Sequence, residues 1–286
     1  MEQPSHNWAR MAFNEISWKD MRESKFKGQV VWITGASSGI GEALAKHFAT
    51  LGSRLVLSSR RGDELKRVAG LCEGAPAVSI LPLDLSKPES MADAVRWVLG
   101  RESAVDVMVH NAAVGQRAFA SNASYEIDDL IMRTNYLGPV ALTKALLPAM
   151  QVRQKGHFIV ISSVLGKFGF PGRSGYSASK HALHGFFDTL RGEVWKDNIQ
   201  VMLVLPGWVR TSISMNALTG EGTPQQKMDS GTATGFSPEY CARRIVAAAE
   251  AGKDEVNIVR LKENAALQLS RFAPGMLRRM LRRQGM

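Results

Sequence analysis

Apolar residues gather along this chain in seven short runs, at 29–34, 54–60, 78–83, 105–110, 157–162, 199–205 and 255–259. Most are continuous rather than alternating, which is how a strand reads when both of its faces are covered, as in a parallel sheet. Between them lie segments with helical spacing of apolar positions, at 42–49, 89–99, 125–150, from 177 onward and at 237–253, the last opened by Ser237-Pro238 as cap and first turn. Strands that alternate with helices predict an α/β, doubly wound, seven-stranded parallel sheet flanked by helices on both faces. In such folds ligands bind outside the carboxyl ends of the strands. Residues 211–236 have no steady period and are rich in Gly, Ser, Thr and Met. A connection of that length is either disordered or a functional lid, and it is taken as a substrate lid.

The predicted strand ends carry the chemistry. After the first comes Gly35-Ala36-Ser37-Ser38-Gly39-Ile40-Gly41, leading into a helix. A glycine-rich turn between strand and helix lets backbone approach a pyrophosphate, with the helix N-terminus supplying N–H groups and a positive dipole end. This is the Rossmann arrangement for a dinucleotide. The second strand ends at Ser59, followed by Arg60 and Arg61, where an NAD site would place a carboxylate for the ribose hydroxyls. Guanidinium groups match a 2′-phosphate in charge and shape, so the cofactor expected is NADP(H), held by Arg60 with help from Arg61. Asp84-Leu85 closes the third strand, Asn111-Ala112-Ala113 the fourth, and Pro206-Gly207-Trp208-Val209-Arg210-Thr211 the sixth.

The fifth strand ends at Ser163, and Tyr176 and Lys180 follow four apart. On a helix they share a face about 5–6 Å apart. A neighbouring ammonium favours the phenolate and lowers the tyrosine pKa, which suits a proton donor and acceptor. Ser163 can hydrogen-bond the oxygen that Tyr176 protonates.

Composition changes little of this. At 286 residues and 45% hydrophobic, the chain has ample material for a core. Two cysteines, Cys72 and Cys241, make no disulfide framework and fit a reduced, cytoplasmic setting. Neither has ligand-spaced neighbours, so no metal is expected. No apolar run reaches the roughly 20 residues of a membrane span. Residues 1–24 form a polar lead in which Trp8 and Trp18 suggest docking onto the fold. The net charge is +10, and from Lys262 onward six Lys/Arg stand against Glu263, so half of the excess sits there. The remainder is spread out, with no aromatic-interleaved basic face, so nucleic acid is not expected as a partner.

The ordered set Thr34-Gly35-x-x-x-Gly39-x-Gly41, Asp84-Leu85, Asn111-Ala112-Ala113-x-Gly115, Asn135, Ser163, Tyr176-x-x-x-Lys180 and Pro206-Gly207-x-Val209-x-Thr211 resembles the short-chain dehydrogenase/reductase family. Residues 166–193 look closest to the branch with hydroxysteroid-dehydrogenase-like and member 7B-like reductases, whose members usually carry an N-terminal membrane anchor of a kind not found here. The resemblance implies that Tyr176 is the general acid/base and that Lys180 holds the nicotinamide ribose. Ser163 would orient the carbonyl oxygen, and Asn135 would hold a water in a proton relay. It further implies that Gly35, Ser37, Ile40, Arg60, Asp84, Asn111, Val209 and Thr211 line NADP, and that the protein is a homodimer or homotetramer. The function expected is interconversion of a ketone or aldehyde with an alcohol. The alternative is a non-catalytic NADP-binding regulator on the same fold.

Val164, Leu165, Phe168, Phe170, Pro171 and Trp208 near the catalytic stretch, with Ile213, Met215, Leu218 and Met228 in the lid, point to an apolar, bulky substrate. Residues 261–286 read as a basic amphipathic tail, beyond a single domain over 25–260. Met276, Leu277, Met280 and Leu281 fall on one half of a helix and Arg278, Arg279, Arg282 and Arg283 on the other. The apolar half needs a receiver. It is a weak peripheral membrane contact, the protein's own body or a second subunit.

Overall fold

A computed structural model describes residues 24–283; Trp8 and Trp18 of the lead lie outside the described residues. In chain order the elements are β1 Val30–Thr34, α1 Gly39–Thr50, β2 Arg54–Ser59, α2 Gly62–Ala69, β3 Val78–Pro82, α3 Met91–Glu102, β4 Val107–His110, α4 Tyr125–Met132, α5 Gly138–Arg153, β5 Gly156–Ile161, α6 Ser174–Val194, β6 Ile199–Pro206, α7 Ser230–Ala233, α8 Pro238–Glu250, β7 Glu255–Ile258, α9 Leu261–Phe272 and α10 Pro274–Arg282. The seven strands form one sheet in the order β3-β2-β1-β4-β5-β6-β7, every pair parallel. Chain direction across the sheet reverses between β1 and β4, the switch point where a crevice opens.

The continuous apolar runs are explained by two cores. Val31 and Ile33 of β1 face a layer built with Leu44 and Phe48 of α1 and Ile245 of α8. Val30 and Trp32, alternating with them, face Val95 of α3, Leu146 of α5 and Phe187 of α6. Each strand therefore needs apolar residues at both parities. The buried Trp32 indole is matched, donating to Ser58 Oγ at 2.9 Å.

Two elements differ from expectation. The fourth strand starts at Val107 rather than 105, because the Asp106 carboxylate accepts the Val30 N–H at 2.9 Å. The long helix expected over 125–150 is interrupted by a π-turn at Arg133–Leu137. Asn135 stands in that turn, 1% exposed, its side chain bonded in both directions to the main chain of Val114. Such widened turns often mark functional positions.

Candidate active site

The carboxyl ends of β1, β2, β4, β5 and β6 open into a cavity of about 1860 Å³. A pocket for one small ligand holds roughly 300–1,000 Å³, so this one has room for a dinucleotide and a second molecule. Every site residue expected from sequence lines it except Gly41 and Asn135.

The glycine turn is shaped by close approach. Gly35 and Gly39 have φ of +65° and +59°, the left-handed region. A Cβ on Gly35 would stand 2.7 Å from the Ala112 Cα, and one on Gly41 would stand 2.3 Å from the Gly35 carbonyl oxygen. Gly41 therefore serves by letting α1 sit against the turn. Asn111 ties the two strand ends together, its Nδ2 donating to the carbonyls of Thr34 at 3.0 Å and Gly35 at 3.2 Å. Ser38, at the N-cap of α1, makes no side-chain cap bond. The first N–H groups of the helix face the cavity end that a pyrophosphate fits.

At the end of β2 the two arginines part. Arg61 reaches back over the glycine turn, its Nη2 donating to Ser37 Oγ at 2.9 Å and Ser38 Oγ at 3.0 Å. Arg60 lines the rim and is exposed. Arg61 is exposed as well, and both arginines stand at the cavity end of β2. Asp84 Oδ1 accepts from the Ser86 N–H and hydroxyl at 3.0 and 2.8 Å, closing the turn after β3.

On the other side of the cavity, Ser163 caps a short 3-10 turn with its Oγ accepting the Leu165 N–H at 3.1 Å. It stands near enough to the Tyr176 phenol to favour the phenolate. Lys180, 2% exposed, donates from Nζ to the Ile161 carbonyl at 2.8 Å and lies 5.7 Å from the centre of the Tyr176 ring. Burial pushes Lys180 down to about 7. Burial also holds Tyr176 above the ordinary tyrosine value, against the pull of the Ser163 hydroxyl and of the Arg173 and Arg117 charges. The expected lowering of Tyr176 by Lys180 is therefore not what this environment gives. Lys180 is buried and Tyr176 half-buried, and desolvation of each charged form outweighs their proximity.

Asn135 is not at the wall. Its Nδ2 donates to the Val114 carbonyl at 2.9 Å and Ser179 Oγ at 3.1 Å, and Ser179 in turn donates to the Tyr176 carbonyl at 2.8 Å. The side chain is engaged in aligning α6 against the loop after β4.

Four polar residues were not foreseen. Gln116, fully buried, accepts the N–H groups of Gly175 at 2.8 Å and Tyr176 at 3.3 Å through Oε1, capping the start of α6. Asp229, in the segment between β6 and α8, takes both Arg117, with Nε at 2.9 Å, and Arg173, with Nη2 at 3.3 Å. Arg173 also lies over the rings of Phe170 and Trp208, 5.5 and 5.0 Å from their centres. Arg173 was in view within the catalytic stretch, but nothing local in sequence marks its partner 56 residues on.

The remaining wall is apolar. Val164, Leu165, Phe168, Phe170, Trp208, Ile213 and Leu218 line it as expected; Pro171, Met215 and Met228 do not. The end of the chain adds a wall not foreseen, for Leu269 of α9 and Leu277, Met280 and Leu281 of α10 also face the cavity. Among the described residues no cluster of His, Cys, Asp and Glu is arranged to hold a metal ion, and no helix is long and apolar enough to cross a membrane.

The short chain dehydrogenase family pattern matches residues 29–222. The chain is 46% identical to the dehydrogenase/reductase SDR family protein 7-like of Anopheles gambiae, covering 90% of this chain and 83% of that one. It is 40% identical to the dehydrogenase/reductase SDR family member 7B of Bos taurus, covering 94% and 85%. A short-chain dehydrogenase/reductase from Burkholderia phymatum, solved with NAD, shares the fold with a TM-score of 0.77 at 23% identity, over 89% of this chain and 96% of that one. A metagenomic short-chain oxidoreductase, solved with NADP, superposes with a TM-score of 0.68 at 28% identity, over 82% and 97%. On the matched pattern and these relatives, the chain belongs to the short-chain dehydrogenase/reductase family of oxidoreductases.

Proposed function

We propose that this protein is an NADP(H)-dependent oxidoreductase that interconverts a bulky, apolar ketone or aldehyde with its alcohol, and that it works as a homodimer or homotetramer. The observation that carries the reading is the meeting of Ser163, Tyr176 and Lys180 in the same cavity as the glycine turn. When bound, the nicotinamide supplies or accepts the hydride. Tyr176 gives its hydroxyl proton to the carbonyl oxygen, or takes one from the alcohol. Ser163 holds that oxygen in place for transfer. Lys180, beside the phenol, would hold the cofactor ribose, while Asn135, through Ser179, keeps α6 in register.

Preference for the 2′-phosphate rests on Arg61 across Ser37 and Ser38, with Arg60 beside it and no carboxylate at the end of β2. Loss of one charge-assisted contact costs about 1.5–3 kcal/mol, roughly 10–150-fold in affinity. Titrating NADPH and NADH into wild type and Arg61→Ala tests this. Wild type should prefer NADPH and the variant should lose most of that preference; equal affinities in wild type contradict it. Substrate class is tested by kcat/KM across a panel of ketones, with bulky apolar members expected to exceed small polar ones.

A further inference from the structure

The apolar half of α10 is only partly received by the protein. Leu277 is buried and Leu281 half-buried against the cavity, whereas Met276 and Met280 are 56% and 53% exposed. Phe272 at the end of α9 is 74% exposed and Leu261 at its start 87% exposed. Phe272, Met276 and Met280, left in water close together along the chain, mark a contact site. Around them Lys262, Arg271, Arg278, Arg279, Arg282 and Arg283 are all exposed. The acid of this segment, Glu263, is turned in, accepting the Arg260 N–H at 2.9 Å and lining the cavity. The surface is therefore apolar and wholly cationic.

We propose that α9 and α10 are a docking surface for an anionic lipid bilayer, placed so that the outer wall of the substrate cavity lies against the membrane. Charge decides between this occupant and a second copy of the chain. A two-fold contact sets a patch against itself, which here brings six cations to six with no carboxylate between them. An anionic headgroup layer supplies the missing charge, and Phe272 and Met276 fit the boundary below it. Met280 is exposed and also lines the cavity, so only the thickness of one helix, about 10 Å, separates the two. Resting on the apolar-substrate reading above, this gives such a substrate a direct path from bilayer to site. Two short helices bind weakly alone, so the contact is reversible and salt-sensitive.

Sedimentation of the full chain with vesicles tests this without turnover, so its failure leaves the proposed reaction untouched, and the reverse. Wild type should pellet with vesicles containing phosphatidylserine at low salt, less at high salt, and remain in solution with phosphatidylcholine alone. Replacing Arg278, Arg279, Arg282 and Arg283 together by Gln should weaken partitioning at least about tenfold. Phe272→Ser with Met276→Ser should weaken it as well. All variants should keep the NADPH affinity of wild type as proof of folding, and replacing the same four arginines together by Lys should leave vesicle binding in place. Wild type that stays in the supernatant at low salt overturns the proposal, as do Gln variants that pellet like wild type. A fall in oligomer mass in the Gln variant, with no vesicle binding by wild type, assigns the surface to a second copy and equally overturns it.

Discussion

Lys180 is an ammonium with one hydrogen-bond partner and almost no solvent, and it is the costliest single residue of the site. Its folded pKa of about 7 lies below an unfolded value of about 10.4. Between those values the unfolded chain binds more protons than the folded one, so this residue makes stability rise with pH from about 7 to 10.4, by at most about 1.4 kcal/mol per unit. Below pH 7 the full cost is present. Thermal melts from pH 6 to 9.5 should therefore show wild type gaining on Lys180→Met as pH rises, with the variant at least as stable at pH 6 and inactive. Parallel curves would contradict this environment. The pairing of Tyr176 with Lys180 was legible because spacing alone puts i and i+4 on one face. The direction of their pKa shifts was not, since burial depends on β5, α6 and the loop after β4 closing around them.

At the scale of elements, the strands could be read from sequence because each is covered twice, which forces apolar residues at both parities. The glycine turn was readable because close approach excludes side chains. Segment 211–236 was not, since what holds it is remote in sequence: Asp229 bonds Arg117, 112 residues earlier. Asp229 keeps two largely buried cations paired, and removing one partner of such a set costs about 3–5 kcal/mol. Asp229→Ala should lower Tm by about 5–10 °C and open 211–236 to limited proteolysis, with Arg117→Ala rescuing part of the loss. A melt within a degree of wild type and an unchanged cleavage pattern would show that the cluster does not secure the segment.

Across the whole molecule, the sheet, its switch point and the two sides of the cavity follow from the order of strands and turns, which sequence carries in full. The closing wall does not. Two turns of helix rich in arginine have no pattern that tells inward from outward until the rest of the fold supplies a cavity edge, and there α10 spends Leu277 inward and Met276 outward. All of these parts converge on one hydroxyl. The most direct test of the account is NADPH oxidation followed by absorbance with the best apolar ketone of the panel, for wild type and Tyr176→Phe, beside a fluorescence titration of NADPH into each. The variant should bind NADPH as wild type does and lose about 10²–10⁴-fold in kcat. A Tyr176→Phe protein that turns over at a rate comparable to wild type would contradict the account.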